Sequence, residues 1–309
     1  MAEQLLDATA ASGIRSAVLL RGREGFGASP GFQVDGRLTL SENLPMALFV
    51  SGPESRMLAL GGQFRLLLGE GLVAMETSRQ SHESDQNEPG SRLSRLSIWT
   101  GRQARIDGQP AHVGLVKFLR EHGAEAAISM LGVDGLSAGA RERARFFSSN
   151  RRVPMMVTAV VHREAIPVLR ANIHELLPGA ALEELDLCQP NIEPVAETGP
   201  SGMWKISIYG GGSAAGSGIH QQREILGVLR RMGAAGATGY SGVYGFQGDE
   251  LPHGDSFLAI RRRLPTLTEV IDTAANCRRW LEEIDRLSGS PAVVTISQVR
   301  VINRPADQA

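Results

Sequence analysis

The chain has 309 residues, of which 42% are hydrophobic and 21% charged, and its formal net charge is −1. That length accommodates two or three domains with cores of their own, and that composition excludes a disordered chain. The near-zero charge argues against a protein that tracks nucleic-acid phosphates, which normally carries a basic excess. Two cysteines, Cys188 and Cys277, cannot build a disulfide scaffold and read as small buried or surface thiols. The opening MAEQLLDATAASG has neither a basic nor an apolar leader segment, and the longest apolar run, Val153 to Val161, is too short to cross a bilayer. A cytoplasmic protein that is not membrane-embedded is the expectation.

In chain order, the first predicted element is a helix carrying Leu5 and Leu6 and ending before Gly13, followed by a strand over Arg15 to Leu20. A Gly-x-x-Gly at Gly22 and Gly25 opens a long loop, and Leu44-Pro45 precedes the next strand. The polar stretch Ser78 to Ser91 reads as a linker. Beyond it come a strand through Leu96-Ser97-Ile98 and a helix with Leu115, Val116, Phe118 and Leu119 before Gly123. Gly132 and Gly135 open a second long loop, and a strand over Pro154 to Val161 follows. Gln189 to Gly202 reads as a second linker. The last third repeats the order. Trp204, Ile206 and Ile208 alternate with Lys205, Ser207 and Tyr209, as in a half-buried strand. A helix with Ile225, Leu226, Val228 and Leu229 ends at Gly233, and Gly242 and Gly245 follow. A helix over Asp272 to Leu287 then precedes a strand over Ala292 to Val301.

These thirds are copies. Gly13, Gly22 and Gly25 recur as Gly123, Gly132 and Gly135 and again as Gly233, Gly242 and Gly245, and Leu44-Pro45, Val153-Pro154 and Leu264-Pro265 correspond. A period of about 110 residues means tandem duplication of a whole domain, not a solenoid. The boundaries are residues 1–79, 92–188 and 203–302. Each copy reads β-α-β-loop-β-α-β, the α+β ferredoxin-like order, with a four-stranded antiparallel sheet and two helices on one face. The first copy opens directly in its first helix and lacks strand 1. Three outcomes are open for that vacancy. Another segment fills it, a linker or the tail after Val301 being the candidates; or it stays open; or the natural chain carries about 15 more residues at its start, as the repeat register implies.

Leu20-Arg21-Gly22-Arg23-Glu24-Gly25-Phe26-Gly27-Ala28, with Leu40-Ser41-Glu42-Asn43-Leu44-Pro45 after it, resembles the PII-like family known as domain of unknown function 190. Asp107-Gly108-Gln109-Pro110 in copy 2 resembles that family's opening. Tyr240-Ser241-Gly242-Val243-Tyr244-Gly245-Phe246, with Leu264-Pro265 and Val270-Ile271-Asp272-Thr273, extends the resemblance through copy 3. Copy 2 departs from it where Leu136 replaces the motif Phe. The resemblance implies ferredoxin-like units assembled in threes, so that three copies in one chain would form a single-chain pseudo-trimer. It implies no settled activity. Better understood PII relatives bind adenine nucleotides or other small anions between subunits and touch a target through the long loop.

The expected function is a non-enzymatic sensor or adaptor, with no cofactor beyond an adenine nucleotide or other small anion as regulatory ligand. The alternative is an interaction scaffold without a ligand, linked to a fluoride channel or other membrane transporter. The candidate ligand-binding residues are Arg21, Gly22, Gly25, Phe26, Gly27, Gly132, Gly135, Gly242, Gly245 and Phe246. Glycine lets backbone amides face an anion, but it equally makes a tight turn, and both readings stand. Copy 1, flanked by Arg21 and Arg23, is expected to keep a site best. The loops differ in charge: Arg141, Arg143, Arg145, Arg151 and Arg152 in the second, Asp249, Glu250, Asp255 and then Arg261, Arg262 and Arg263 in the third. Gly210-Gly211-Gly212-Ser213-Ala214-Ala215 fits a dinucleotide fingerprint formally, but the βαβ context is wrong, so a connection with at most a weak anion site is expected. His112, His122, His162, His174, His220 and His253 are scattered without metal-ligand spacing.

Overall fold

A computed structural model describes residues 1–27, 33–34, 44–77, 92–144, 152–187, 202–211, 218–254, 264–288 and 292–303. The first expected linker, the second as far as Ser201, Cys188, the run from Gly212 to Ala215, and much of each long loop lie outside these residues.

Leaving two-residue strands aside, copy 1 comprises α1 (Ala2–Ala11), β1 (Ser16–Arg21), β2 (Glu24–Phe26), β3 (Met46–Ser51), α2 (Glu54–Leu67) and β4 (Val73–Met75). Copy 2 comprises β5 (Leu93–Gly101), α3 (Ala111–Glu121), β6 (Ala126–Leu131), β7 (Asp134–Ser137), β8 (Pro154–His162), α4 (Ile166–Leu176) and β9 (Ala181–Leu187). Copy 3 comprises β10 (Met203–Gly210), α5 (Gly218–Arg231), β11 (Ala237–Ser241), β12 (Tyr244–Gln247), β13 (Thr266–Thr273), α6 (Ala274–Ser288) and β14 (Val293–Asn303). The molecule is α+β. Gly13, Gly123 and Gly233 all have φ between +73° and +83°, so each first helix is left through a residue that only glycine adopts cheaply.

In copy 2 the sheet order is β9-β5-β8-β6, and in copy 3 it is β14-β10-β13-β11, with every pairing antiparallel. Alternation divides each sheet into two faces. Leu96, Ile98 and Val157 pack under α3 and α4, and Ile206, Ile208 and Val270 under α5 and α6. The opposite faces meet one another: Val18 and Leu20 of copy 1, Trp99, Ile128, Met130 and Met156 of copy 2, and Tyr209, Tyr240 and Leu267 of copy 3 form one cluster.

The sequence reading treats the residues after each Gly-x-x-Gly as the start of a loop. The structure makes them strands, and each joins the sheet of a different copy. β2 of copy 1 pairs with β11 of copy 3, β7 of copy 2 with β1 of copy 1, and β12 of copy 3 with β6 of copy 2. The exchange is cyclic and leaves no copy out. These strands have only three or four residues, too few to show a period of two.

In copy 1, β3 pairs with β1 on one edge, and among the described residues no strand pairs with its other edge. The last strand of copy 1, β4, instead pairs with the end of β14, through Arg300↔Met75, Val301↔Ala74 and Asn303↔Val73. Ile302 thereby joins Leu5, Ile14, Leu60 and Phe64 in the helix-side core of copy 1. The tail of copy 3 thus supplies part of what the absent strand would.

Candidate functional site

Each hairpin strand places a Gly-x-x-Gly where two copies meet. The first glycine donates its amide within its own copy, to the carbonyl of the proline that opens the next strand: Gly22 to Pro45 (2.8 Å), Gly132 to Pro154 (2.9 Å) and Gly242 to Pro265 (2.8 Å). The residue after it donates across the interface: Arg23 to Gly239, Val133 to Leu19 and Val243 to Ser129, each at 2.8 Å. The second glycine lies flat against the partner strand. A Cβ would come within 2.8 Å of the Ala237 carbonyl at Gly25, 2.2 Å of the Ala17 carbonyl at Gly135, and 2.5 Å of the Ala127 carbonyl at Gly245. The motif Phe then plugs the neighbouring copy. Phe26 is buried in the helix-side core of copy 3, Leu136 in that of copy 1 and Phe246 in that of copy 2. Gly27 is exposed with open space around it, and Arg21 is also exposed. The structure therefore brings the candidate residues together in pairs of copies, with the amides of Gly22, Gly132 and Gly242 already bonded to protein carbonyls.

Side chains make the three junctions between copies unlike. Between hairpin 1 and copy 3, Glu24 is fully buried and receives Nε (3.1 Å) and Nη2 of Arg223 from α5. Between hairpin 2 and copy 1, Asp134 receives Nη2 of Arg141 (2.9 Å), which also reaches Asp7 (2.6 Å), while Arg143 pairs with Glu3. Between hairpin 3 and copy 2, Tyr244 stands in the acidic position. There Arg120 lies 5.2 Å from the Phe246 ring centroid and donates to the carbonyls of Gly248 (3.0 Å) and Asp249 (2.8 Å). Glu3 and Arg223 occupy equivalent helix positions with opposite charge.

Arg223→Ala should cost about 2 kcal/mol of stability, because it strands a buried carboxylate, reduced from the figure for a fully buried pair by the half-exposure of Arg223. Arg143→Ala, which breaks an exposed pair, should cost less than about 1 kcal/mol. Equal urea midpoints for the two variants would refute this difference.

Copy 3 also carries polar residues on the helix side of its sheet, next to hairpin 1. Ser241, Thr266 and Gly210 face one another across the last row of the sheet, and Gly239, Thr268 and Ile208 two rows before it. Gln222 of α5 lies over Gly239, 1% exposed, and its Nε2 donates to the Tyr240 and Leu267 carbonyls (both 3.1 Å) and to Thr268 Oγ1 (3.2 Å). Three acceptors around one nitrogen fix which way the amide points. Gln222 Oε1 and Ser241 Oγ are left buried without a hydrogen-bond partner. In copy 2 the corresponding rows are Leu131–Met155–Thr100 and Ser129–Val157, and in copy 1 they are Arg21–Met46 and Leu19–Leu48. Sequence reading named Ser241 only as a flank and missed Gln222. The signal was Thr266 and Thr268 standing where other copies carry methionine, valine or leucine.

On the helix-free faces, a second feature joins all three copies. Glu76, next after β4, accepts from Arg95 Nη2 (2.6 Å) and Nη1 (3.3 Å), Lys205 Nζ (2.8 Å) and Ser297 Oγ (2.6 Å), and Lys205 also reaches Glu269 (3.3 Å). Burial opposes the Glu76 charge, but the two cations outweigh it and hold its carboxyl far below the usual range. Nearby Glu183 shifts the other way. Burial raises its pKa, against a hydrogen bond donated by Ser51. Arg95 and Lys205 are equivalent positions of strand 1 in copies 2 and 3.

Among the described residues, no cluster of His, Cys, Asp and Glu is arranged to hold a metal ion, and no helix is long and apolar enough to cross a membrane. The family model described as "Uncharacterized ACR, COG1993", a domain of unknown function, matches residues 1–80, 93–183 and 203–301. Among solved structures, an unknown protein from Galdieria sulphuraria is 11% identical, with 68% of this chain and 98% of that one covered, at a TM-score of 0.21. A candidate chlorite dismutase is 10% identical, with 67% and 95% covered, at a TM-score of 0.18. At such TM-scores neither likeness bears on fold or function.

Proposed function

The chain belongs to the family of domain of unknown function 190, in three tandem copies, and from that premise we propose that it is a PII-like sensor or adaptor, a single-chain pseudo-trimer of ferredoxin-like units. It binds a small anion, an adenine nucleotide among the candidates, in a cleft between copies, and contacts a partner through its long loops without catalysing a reaction. The supporting observation is the cyclic exchange of hairpins. In this reading the exchange joins the three copies in a cycle, with a cleft expected wherever one copy's hairpin meets the first helix of another. Clefts between packed units are where small ligands are generally held. Sequence divergence among them fits an assembly in which fusion has freed each cleft to specialise.

Thermal unfolding of the intact chain with orthophosphate, ATP, ADP and fluoride tests the proposal. A ligand that binds only the native state at 100 times its Kd adds about 2.7 kcal/mol, so at least one of these should raise the melting temperature. Light scattering should give one chain per particle. Arg21→Ala should weaken the anion more than Arg143→Ala, since Arg21 flanks the motif in the copy that keeps the family pattern best. No stabilisation by any of the four, or a particle of three chains, would count against the proposal.

A further inference from the structure

We infer that Glu183 is a proton-operated switch where the three copies meet: carrying a proton, it lets the last strand of copy 1 sit firmly on copies 2 and 3, and without the proton it loosens that strand.

Register places Glu183 of β9 opposite Ser97 and diagonal to Arg95 and Trp99 of β5. It shares the helix-free face with Leu185 and Leu187, which lie in the cluster common to all copies. The charged groups facing it are Arg95 and Glu76, while β3 presents Ser51 and β5 also Trp99. β14, which packs against β9 as well, gives Ser297 to Glu76. Beyond Glu76 stand Lys205 and Glu269. Among the described residues this patch therefore sets two cations, Arg95 and Lys205, against three carboxylates, Glu76, Glu183 and Glu269. Glu76 is paired with both cations and Glu269 with Lys205. Glu183 is the carboxylate left over, and a carboxylate in excess at a buried site is the one that takes a proton. In copy 3, Thr295 stands opposite Ser207 where Glu183 stands opposite Ser97, so the surplus is particular to copy 2.

The two charge states differ in what they do to Glu76. Neutral Glu183 leaves Arg95 to Glu76. Ionised Glu183 repels Glu76 and competes with it for Arg95. The indole N–H of Trp99, buried without a hydrogen-bond partner, favours the ionised form. Burial favours the neutral one and shifts the Glu183 carboxyl upward. Glu183 is only partly buried, so water can exchange its proton. The effect falls on β4, because Glu76 follows it directly and its three residues pair with the end of β14.

Native-state amide exchange of the full-length chain, corrected for the intrinsic pH dependence of exchange, tests the switch without any ligand and so independently of the anion-binding reading. Protection of β4 should fall about threefold or more between about pH 5 and about pH 8, above the unfolded carboxyl value of about 4.3 and never more steeply than about tenfold per unit, the limit for one proton. Glu183→Gln, which mimics the protonated form, should keep the low-pH protection throughout. Ser51→Ala removes a hydrogen bond that favours the charged form, so its fall should move to higher pH. A flat wild-type profile, the same fall in Glu183→Gln as in wild type, or a fall moved to lower pH in Ser51→Ala would each overturn the inference. Should Glu183→Gln not fold, the direction of the Ser51→Ala shift decides alone.

Discussion

Glu76→Gln is expected to lower the stability of the protein by about 3 kcal/mol, the cost of removing one partner from a buried ion pair and leaving the other uncompensated. Glu76 is the shared counter-ion of Arg95 and Lys205, and Lys205 is only 5% exposed. Without the carboxylate, the Arg95 guanidinium and the Lys205 ammonium, from different copies, face each other with Glu269 as remaining balance. Glu70→Gln, at an exposed position of the same copy, should change stability by no more than about 0.5 kcal/mol. Urea unfolding of the two variants, with the slope compared to wild type, is the measurement, and matching midpoints would dismiss the role. The sign with pH follows from the direction of the shift. A carboxylate whose folded pKa is depressed contributes its full stabilisation above the unfolded value of about 4.3 and loses it as the pH falls. Glu183, shifted upward by burial, acts oppositely: its contribution is present at low pH and is lost as the pH rises through its folded pKa. Acid destabilisation should therefore be weaker in Glu76→Gln than in wild type.

Gly135→Ala is expected to cost roughly 3 kcal/mol, at the upper end for overpacking, because the added methyl would lie 2.2 Å from the backbone carbonyl of Ala17 and 2.8 Å from Pro154. Neither is the end of a flexible side chain. The strands must part, taking with them the Val133-to-Leu19 bond and the Ala17↔Leu136 register. Amide exchange at Val133 should accelerate in the variant. Gly62→Ala is the counter-case. It lies inside α2 with nothing within 4 Å, so it should gain about 0.5–1 kcal/mol by helix propensity alone. Loss of stability in Gly62→Ala, or unchanged exchange at Val133 in Gly135→Ala, would contradict this account of the motif.

Local features of the fold could be read from the residues. Gly13, Gly123 and Gly233 mark helix ends because a left-handed residue is a single-position requirement. The alternation in Trp204 to Tyr209 gives a strand because both faces are visible within six residues. The exchange of hairpins could not be read, since a three-residue strand such as Glu24–Phe26 has no period, and its partner Ala237–Gly239 lies in another copy. The Leu-Pro recurrence was visible, but its reason was not: the proline carbonyl receives the glycine amide. Glu76 went unnoticed because it follows a short strand next to a linker. Lys205 reads from its alternation as the exposed face of a half-buried strand, whereas the structure buries both faces and draws its counter-ion from copy 1. Ser241, Thr266 and Thr268 lie apart in sequence, and only the pairing of β11, β13 and β10 brings them onto one surface beneath Gln222.

The pairing of Phe26 with Ala237 sets a timetable for biosynthesis. Hairpin 1 leaves the ribosome more than two hundred residues ahead of the strand that receives it. At ~5–20 residues per second, it waits on the order of ten to forty seconds. During that interval Phe26 and the edge of β2 have no native surface to cover them, while hairpin 2 can already dock on copy 1. The pairing of copy 1 with copy 3 thus has to wait until copy 3 is made. That junction is the step at which a nascent chain is most exposed to capture by another copy of itself.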